Sequence, residues 1–480
     1  MSNNAFIADP TMLRIGGRSI TTDRTFTVVD PATGASIAEV ADATPAHAIE
    51  ALSVAADVQS DWAATPARAR ADILRRAWEL VMQHSEQFAR LITSEMGKPL
   101  AESYGEVTYG GEFLRWYAEE AVRINGRYAE SPGGAGRILV TRQPVGTTLA
   151  ITPWNFPLAM GTRKIAPALA AGCTVLIKPA AETPLTMLLL SEVFREAGLP
   201  DGVLSILPTS DAAALTAPLL SDSRLRKVTF TGSTAVGRTL LRGAAEHVLR
   251  TSMELGGNAP FIVFADADLE AALDGAMAAK MRNGGEACTA ANRIYVERSV
   301  LDEFTDEFTD RMRALVVGPG DQPGTDLGPM ITARQRQRVA TLVDMTVAAG
   351  ARIRTGGTVP EGPGYYYPPT VLTDTPEDAL ILREEIFGPV ATIVAFDGEA
   401  AGVAAANNTP YGLAAYIYTG DIDRALRVSA AIEAGMVGVN RGILSDVAAP
   451  FGGIKESGLG RESGSEGIDE YLETKYVALR

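Results

Sequence analysis

The sequence predicts an α/β protein built on parallel sheets. Beyond Thr147, short β-branched runs (TTLAI, TVLIK, VLSIL, KVTFT, PFIVF) alternate with helix-length segments such as LAMGTRKIAPALAA and LTMLLLSEVFREAG. This alternation is typical of βαβ units, whose helices cover both faces of a parallel sheet. A second α/β region runs from about Gly257 to Ser457, with strands near RIYVE, TVLTD and ATIVAF. Of the 480 residues, 46% are hydrophobic and 21% charged, which excludes a disordered chain.

The chain before Thr147 has a different pattern. Thr25 to Ala41 alternates apolar and polar residues around a Pro-Ala-Thr-Gly turn, which predicts a β-hairpin. We expect one helix with Thr65 as its N-cap and Pro66 in its first turn, continuing through ARARADILRRAWELVMQHSEQFARLI. A second helix over AESYGEVTYGGEFLRWYAEEAVRI ends near Gly126, and ILVTRQ then predicts a strand.

Charge and residue counts exclude several classes of function. With 43 basic and 58 acidic residues, the formal charge is −15, which argues against nucleic acid as a partner. The chain has two cysteines, Cys173 and Cys288, so it has no disulfide framework. Its three histidines are far apart, so we expect neither a metal site nor a histidine-based catalytic triad. Carboxylates or lysines are the remaining acid–base groups.

The sequence also predicts a cytoplasmic protein without a membrane partner. The N-terminal MSNNAFIADPTMLRIGGRSI lacks the basic and apolar regions of a signal peptide. The longest apolar stretch, near residues 166–177, is shorter than the ~18 residues that a membrane span needs.

The segment FTGSTAVGR is a candidate phosphate-binding turn. A strand ending at Thr231 runs into Gly232 and Ser233, and Gly237 follows within a predicted helix. The N–H groups at the start of a helix suit a diphosphate. The spacing matches neither of the common glycine-rich nucleotide motifs, so an ordinary capped helix start is the alternative.

Two further segments carry candidate catalytic residues. Glu254 precedes a Gly-Gly turn at the end of a strand, where it is either a general base or a solvated loop residue. Cys288 follows Gly284 and Gly285 among small residues, where its thiol is either a nucleophile or an inert core group. We assign Cys173, in the apolar ALAAGCTVLI, to the core.

Together with four other segments, these residues resemble the aldehyde dehydrogenase superfamily. The segments are TPWNFP, KPAAETP, REEIFGPV and PFGGIKESGLGRE, and the likeness extends from about Thr25 to Tyr476. It implies an aldehyde dehydrogenase-like α/β fold with a Rossmann-like cofactor domain (residues 1–124 and 146–256) and an α/β catalytic domain (257–457). A small β bridging element (125–145 and 458–480) pairs with a neighbouring subunit in that family, which implies a homodimer or homotetramer.

The resemblance also implies roles for individual residues. Cys288 matches the nucleophile, Glu254 the base, and Asn155 an oxyanion donor beside the backbone N–H of Cys288. Lys178 and Glu385 match residues that hold the adenosine and nicotinamide riboses, and Phe387 packs beside the nicotinamide. The complete set of implied cofactor-binding residues is Thr152, Pro153, Trp154, Lys178, Ala181, Gly232, Ser233, Gly237, Leu255, Glu385 and Phe387.

The implied reaction is oxidation through a cysteine thiohemiacetal and a thioester. A thiolate attacks the aldehyde, hydride leaves for the nicotinamide, and a water activated by Glu254 hydrolyses the thioester. Relatives that transfer the acyl group to coenzyme A characteristically lack this base, so its presence favours hydrolysis to an acid.

Arg163, Arg282 and Ser445 suggest the substrate class. Their surroundings resemble the succinate-semialdehyde dehydrogenase branch, in which these positions bind the distal carboxylate of the substrate. The resemblance thus implies oxidation of succinate semialdehyde. Glutarate semialdehyde or a small sulfonated or phosphorylated aldehyde is the alternative substrate, and a non-catalytic or thioesterase-like relative is the alternative class.

Two departures from the family pattern affect regulation and cofactor choice. Ala290 stands where some members of the branch have a second cysteine that forms a redox-switch disulfide, which excludes that switch. Ala181 stands where NAD-preferring relatives often have a glutamate that repels a 2′-phosphate, although Glu182 follows it. We therefore expect NADP as the preferred cofactor, with NAD as the alternative.

Overall fold

A computed structural model describes residues 10–480. Residues 1–9, which include the start of the predicted cofactor domain and part of the segment examined for a signal peptide, lie outside the described residues. The described strands form four sheets. In chain order they are β1 (Leu13–Ile15), β2 (Arg18–Ile20), β3 (Thr25–Val29), β4 (Ser36–Ala41), β5 (Arg127–Glu130), β6 (Arg137–Pro144), β7 (Thr148–Ile151), β8 (Val175–Lys178), β9 (Leu204–Ile206), β10 (Lys227–Thr231), β11 (Arg250–Glu254), β12 (Ala259–Val263), β13 (Ala291–Glu297), β14 (Arg352–Thr355), β15 (Thr370–Thr373), β16 (Val390–Phe396), β17 (Ala414–Tyr418), β18 (Met436–Val439), β19 (Gly458–Leu459) and β20 (Leu472–Leu479).

The helices flank these sheets. In chain order the described α-helices are α1 (Pro45–Ala64), α2 (Ala67–Gln83), α3 (Ser85–Met96), α4 (Leu100–Glu120), α5 (Ala159–Ala171), α6 (Leu185–Glu196), α7 (Ala212–Leu220), α8 (Thr234–Ala245), α9 (Leu269–Met281), α10 (Leu301–Ala314), α11 (Ala333–Ala348), α12 (Glu399–Asn407), α13 (Ile422–Ala431) and α14 (Glu466–Asp469).

The largest sheet has the order β19-β11-β10-β7-β8-β9-β1-β2. Its five central strands, from β11 to β9, are parallel, as the alternating pattern predicted. Other elements cover both faces of this sheet, so successive residues of a strand are buried although their side chains point to opposite faces. Ala150 packs with the helices on one face, while Leu149 and Ile151 belong to the core on the other face.

The second sheet has the order β14-β15-β16-β13-β12-β17-β18 and is parallel except for β14. The runs RIYVE, TVLTD and ATIVAF correspond to β13, β15 and β16. PFIVF corresponds to β12 and so lies in this sheet, not in the sheet of the four runs that precede it.

Two small antiparallel sheets complete the architecture. β3 and β4 form the hairpin predicted for Thr25 to Ala41. The other sheet has the order β20-β6-β5, in which the C-terminal strand pairs with β6 from Leu472 opposite Pro144 to Leu479 opposite Arg137. β19 instead pairs with β11 at the edge of the large sheet, so within residues 458–480 it is β20 that belongs to the small sheet.

The helix predicted to start at Thr65 was wrong in its bounds. Thr65 ends α1, because its hydroxyl and its N–H both donate to the carbonyl of Asp61. α1 was not predicted, although Thr44 caps its start and Pro45 lies in its first turn. The predicted helix is then two helices, because the backbone at His84 leaves helical geometry. The second of the two, α3, buries Phe88 and Ile92. No helix within residues 10–480 combines the length and apolarity that crossing a membrane requires.

Substitution of Gly458 tests the close contact between β19 and β11 beside Glu254. The φ of Gly458 is +138°, and a Cβ there would overlap the carbonyl oxygen of Met253 in β11. We expect Gly458→Ala to destabilise the protein by about 3 kcal/mol or more, through backbone strain and the overlap. The measurement is thermal unfolding followed by circular dichroism.

Gly198→Ala is the matched control. Gly198 also has a positive φ, of +87°, but a Cβ there would meet nothing within 4 Å. This substitution carries only the backbone cost of about 1 kcal/mol. Equal losses of stability in the two variants would contradict the role given to the Met253 contact.

Candidate active site

The candidate site is a cavity of about 300 Å³ between the two large sheets. Its wall includes segments that follow β7, β10 and β11 of the first sheet. It also includes segments that precede β12, β13 and β16 of the second sheet. The carboxyl ends of the parallel strands in the first sheet thus face the amino ends of those in the second. Open α/β sheets bind ligands at the carboxyl ends of their strands.

Cys288 lies on this wall and is partly exposed, whereas Cys173 is fully buried in the core, as predicted. The loop before Cys288 turns through residues with positive φ, among them Asn283 at 55° and Gly284 at 61°. Gly257 packs against the backbone of Cys288, and a Cβ there would overlap the Cys288 carbonyl oxygen. Burial raises the pKa of the Cys288 thiol to about 12, and the nearby guanidinium of Arg163 opposes this rise.

Glu254 is the last residue of β11 and is 3% exposed, so it is not a solvated loop residue. Neither of its carboxylate oxygens has a hydrogen-bond partner among the described residues. Burial raises its pKa well above the ordinary value, and the nearby carboxylate of Glu462 adds to the rise. A buried carboxyl group without partners costs free energy, and such groups are concentrated at functional sites.

Asn155 lies on the same wall, in the turn between β7 and α5. Its Nδ2 donates to the carbonyl oxygen of Glu286 at 2.9 Å. A side-chain amide has two N–H donors, so one remains for a ligand. Its Oδ1 is buried and has no partner in the described part of the chain.

The predicted phosphate-binding turn is a strand-to-helix junction. β10 runs into Gly232, and Ser233 caps α8 by accepting a hydrogen bond from the N–H of Val236 at 3.4 Å. Gly232, Ser233 and Leu255 line the cavity. Gly237 lets α8 lie against Leu255, because a Cβ there would overlap the leucine side chain. A helix of 12 residues therefore starts at the cavity, as a diphosphate site requires.

Four of the predicted cofactor-binding residues are absent from the cavity wall as far as the described chain shows, namely Thr152, Lys178, Ala181 and Gly237. Lys178 ends β8, and its carbonyl oxygen accepts a hydrogen bond from the N–H of Thr152 at 3.1 Å. Burial lowers the pKa of Lys178, and the carboxylate of Glu182 opposes the shift. Of the other predicted cofactor-binding residues, Pro153 and Trp154 line the cavity.

Glu385 and Phe387 also line the cavity. The Oε1 of Glu385 accepts a hydrogen bond from the N–H of Gly257 at 3.1 Å. Burial raises the pKa of Glu385 to about 7, and this hydrogen bond opposes the rise. Phe387 has a left-handed backbone, with φ at 54°, and its ring meets that of Trp154 edge to face at 5.3 Å.

Two residues that the sequence patterns did not indicate hold this turn. Gln335 donates to the carbonyl oxygen of Phe387 at 2.9 Å, and Arg338 donates to that of Glu385 at 2.7 Å. Both come from α11, where their sequence context is that of an ordinary polar helix face. No local signal distinguishes them, since the contact joins segments about fifty residues apart.

Arg163, Arg282 and Ser445 come together at one end of the cavity. Arg282 donates to the Ser445 hydroxyl at 3.0 Å, and Arg163 donates to the Tyr109 hydroxyl at 2.5 Å. Aromatic rings surround both guanidinium groups, and the ring of Phe451 lies 4.2 Å from Cζ of Arg163. This end of the cavity is therefore cationic and poorly hydrated, which strengthens its attraction for an anion.

Tyr109 links the two arginines and was missed by the sequence patterns. Its ring centroid is 5.7 Å from the Cζ atoms of both Arg163 and Arg282. The adjacent Gly110 lets α4 approach α5, because a Cβ there would lie 3.2 Å from Cα of Ala159. The Gly-Gly pair after Tyr109 marks such a close approach, although it does not tell which helix is the neighbour.

Comparison with known proteins supplies the family. Residues 19–477 match the aldehyde dehydrogenase family. A succinate-semialdehyde dehydrogenase of Paenarthrobacter nicotinovorans is 58% identical over 92% of this chain and 98% of its own length. A glutarate-semialdehyde dehydrogenase of Pseudomonas putida is 45% identical over 95% of this chain and 94% of its own. The crystal structure of an NADP-dependent enzyme of E. coli is 43% identical, covers 98% of both chains and superposes with a TM-score of 0.96. The chain therefore belongs to the aldehyde dehydrogenase family.

Proposed function

We propose that this aldehyde dehydrogenase oxidises succinate semialdehyde to succinate and prefers NADP as its cofactor. The observation that carries the proposal is the pair of guanidinium groups, Arg163 and Arg282, at the end of the cavity that holds Cys288. A protein of net charge −15 concentrates positive charge there. The relative that is 58% identical is a succinate-semialdehyde dehydrogenase.

Arg163, Arg282 and Ser445, which we call the clamp, suit a carboxylate for geometric and electrostatic reasons. A guanidinium presents a planar fork of N–H donors that matches the two oxygens of a carboxylate. Ser445 adds a hydroxyl that already touches Arg282. Glu462 lies 3.9 Å from Arg163 and balances part of its charge. An aldehyde held by its distal carboxylate then extends its reactive carbon toward Cys288.

The residues present fit a dinucleotide cofactor. Ser233 and the start of α8 offer N–H groups to a diphosphate, and Glu385 has a second carboxylate oxygen for a ribose hydroxyl. Trp154 and Phe387, whose rings meet edge to face, line the same cavity. When bound, the nicotinamide supplies the two-electron acceptor for the oxidation. We favour NADP because Ala181 brings no carboxylate to repel a 2′-phosphate.

Lys178 bears on the same choice of cofactor. It is 7% exposed at the end of β8, three residues before Ala181. Glu182 lies near enough to favour its charged form. We propose that Lys178 holds the adenosine ribose and that NAD is accepted as the second cofactor. The E. coli enzyme of the same fold is NADP-dependent.

The residues of this chain then perform acyl chemistry. The Cys288 thiol first releases its proton to solvent, and the guanidinium of Arg163 favours the resulting thiolate. Its Sγ then bonds to the aldehyde carbon, and the carbonyl electron pair moves to oxygen, where Asn155 Nδ2 and the Cys288 N–H donate hydrogen bonds. After the oxidation the carbon is a thioester. Glu254 takes one proton from water, the water oxygen bonds to the acyl carbon, and the carbon–sulfur bond breaks to release the thiolate. The thiolate takes up the second proton of the water from the new carboxyl group, which gives succinate and the thiol.

A substrate one methylene longer is the alternative. The glutarate-semialdehyde dehydrogenase of P. putida is 45% identical over nearly the whole chain. One methylene contributes only about 1–3 kcal/mol to discrimination in an apolar pocket, so both aldehydes compete for the same clamp. Small sulfonated or phosphorylated aldehydes carry the same kind of charge and belong in the same comparison.

We also propose that the enzyme is a cytoplasmic homodimer or homotetramer. The small sheet exposes aromatic residues, with Tyr128 and Tyr476 each about 60% accessible. An open sheet edge with apolar side chains favours pairing with another chain. The two free cysteines are consistent with a reducing compartment.

The substrate proposal predicts a charge-dependent loss in Arg163→Met. We expect KM for succinate semialdehyde to rise about 10- to 100-fold, since a hydrogen-bonded charge pair is lost. KM for a neutral aldehyde of equal length should change much less. The measurement is steady-state NADPH formation with both aldehydes, with glutarate semialdehyde as a third substrate and NAD as a second cofactor. Equal losses on charged and neutral aldehydes would contradict the clamp.

The proposed base predicts a separation of two steps in Glu254→Gln. Steady-state turnover should fall about 100-fold or more, because thioester hydrolysis loses its base. A burst of one NADPH per active site should remain in stopped-flow absorbance. Glu95→Gln is the matched control, since this carboxyl is also buried with a raised pKa but is not on the cavity wall. An undiminished steady-state rate of Glu254→Gln would exclude the proposed role.

The raised pKa of Cys288 predicts the pH dependence of its alkylation. Only the thiolate reacts, and with a pKa of about 12 the thiolate fraction of the ligand-free enzyme grows tenfold per pH unit below that value. We expect the iodoacetamide rate at Cys288, followed by mass spectrometry, to rise steadily from pH 7 to pH 10. An ordinary free cysteine levels off above its pKa of about 8.5. A plateau near pH 8.5 would contradict the effect of burial.

A further inference from the structure

A buried ion pair lies behind the turn that carries Asn155. The Nζ of Lys98 is 2.6 Å from Oε2 of Glu106, and the two side chains are 1% and 0% exposed. Removing both charges from water is costly, so such a pair gives little net stability compared with apolar residues of the same size. Neither residue lines the cavity, so neither is placed to contact a ligand bound there.

The pair holds both ends of the Asn155 turn. Lys98 Nζ donates to the carbonyl oxygen of Asn155 at 2.8 Å. Oε1 of Glu106 accepts hydrogen bonds from the N–H groups of Leu158 at 2.8 Å and Ala159 at 3.2 Å, where α5 begins. One ion pair therefore anchors the turn at its carbonyl end and at its N–H end. The bonds to charged groups are the stronger class of hydrogen bond.

Asn283 joins this turn to the loop of the nucleophile. Its Nδ2 donates to the carbonyl oxygens of Asn155 at 3.1 Å and Glu286 at 3.0 Å. The side chain of Asn155 donates to the same Glu286 carbonyl. Asn283 is itself held by Glu102, whose Oε1 accepts its backbone N–H at 2.8 Å. Two hydrogen bonds, one from Asn283 Nδ2 and one from Asn155 Nδ2, thus join the segment from Asn283 to Cys288 to the Asn155 turn.

We propose that Lys98, Glu106 and Asn283 are positioning residues that hold the amide of Asn155 at a fixed place relative to the Cys288 thiol. The proposal rests on the oxyanion role of Asn155 in the proposed function. Donors aimed at a developing oxyanion act only while that charge is present, so their displacement slows the chemical steps without weakening binding. A displacement of about 1 Å costs on the order of 100-fold in rate.

A double-mutant cycle tests the proposal. We expect Lys98→Met to lower kcat about 10- to 100-fold with little change in KM for the aldehyde or for NADP. In the Asn155→Ala background the same substitution should lower kcat less than threefold, because the group that it positions is gone. A purely structural role lowers kcat by the same factor in both backgrounds, and that additive outcome would overturn the proposal.

Three further variants keep the test valid if Lys98→Met folds poorly. Lys98→Met/Glu106→Gln removes both charges and leaves no unpaired ion. Asn283→Gly removes the side-chain amide while keeping the positive φ of 55°, which glycine adopts without strain. Both should repeat the non-additive loss with Asn155→Ala. Lys227→Met, at another fully buried lysine that bonds Ser252, is the control and should be additive with Asn155→Ala.

The outcomes separate this proposal from the proposed function. Full activity of Asn155→Ala on its own would overturn the oxyanion role and the positioning role together. A slow Asn155→Ala enzyme combined with additive losses would overturn the positioning role alone. A slow Asn155→Ala enzyme with losses confined to the wild-type background supports both.

Discussion

The burial of ionisable groups between two sheets is the constraint on which the rest of the structure depends. The carboxyl ends of one parallel sheet and the amino ends of the other enclose the cavity, so few charges within it are fully hydrated. Burial raises the pKa values of Cys288, Glu254 and Glu385 alike. In such surroundings the neighbours of each group, rather than bulk water, decide where protons reside.

The charged groups around the cavity interact with one another through Glu462 and Arg163. Glu462 forms an ion pair with Lys164, approaches Arg163 at 3.9 Å, and raises the pKa of Glu254. Arg163 in turn favours the thiolate of Cys288. The cation that we assign to the substrate carboxylate is therefore coupled to both catalytic candidates. An anionic substrate that neutralises it changes the field at the reacting atoms.

Some residues of the site could be predicted from short sequence segments, whereas others could not. Glu254, Cys288 and Asn155 lie in short segments rich in glycine, proline and aromatic residues, whose order along the chain carries information. Tyr109, Gln335, Arg338 and Lys98 occur on helices or at helix ends, in contexts shared by many structural residues. Their importance comes from contacts across roughly 50 residues or more of chain. α1 was missed for another reason, because the buried face formed by Ala48, Ala51, Leu52 and Ala55 consists mainly of small alanine side chains.

The sequence by itself determined the α/β class, the parallel strands and the identity of the chemically distinctive residues. These features depend on local patterns, namely β-branched runs, helix-length spacers and turns that require glycine. Only the tertiary structure decided which neighbours each group has, because burial and distance are properties of the packed chain. It showed that Glu254 is buried without a partner and that Tyr109 lies between two arginines. It also showed that Lys98 donates a hydrogen bond to the carbonyl oxygen of Asn155. No local sequence pattern encodes such a contact between distant segments.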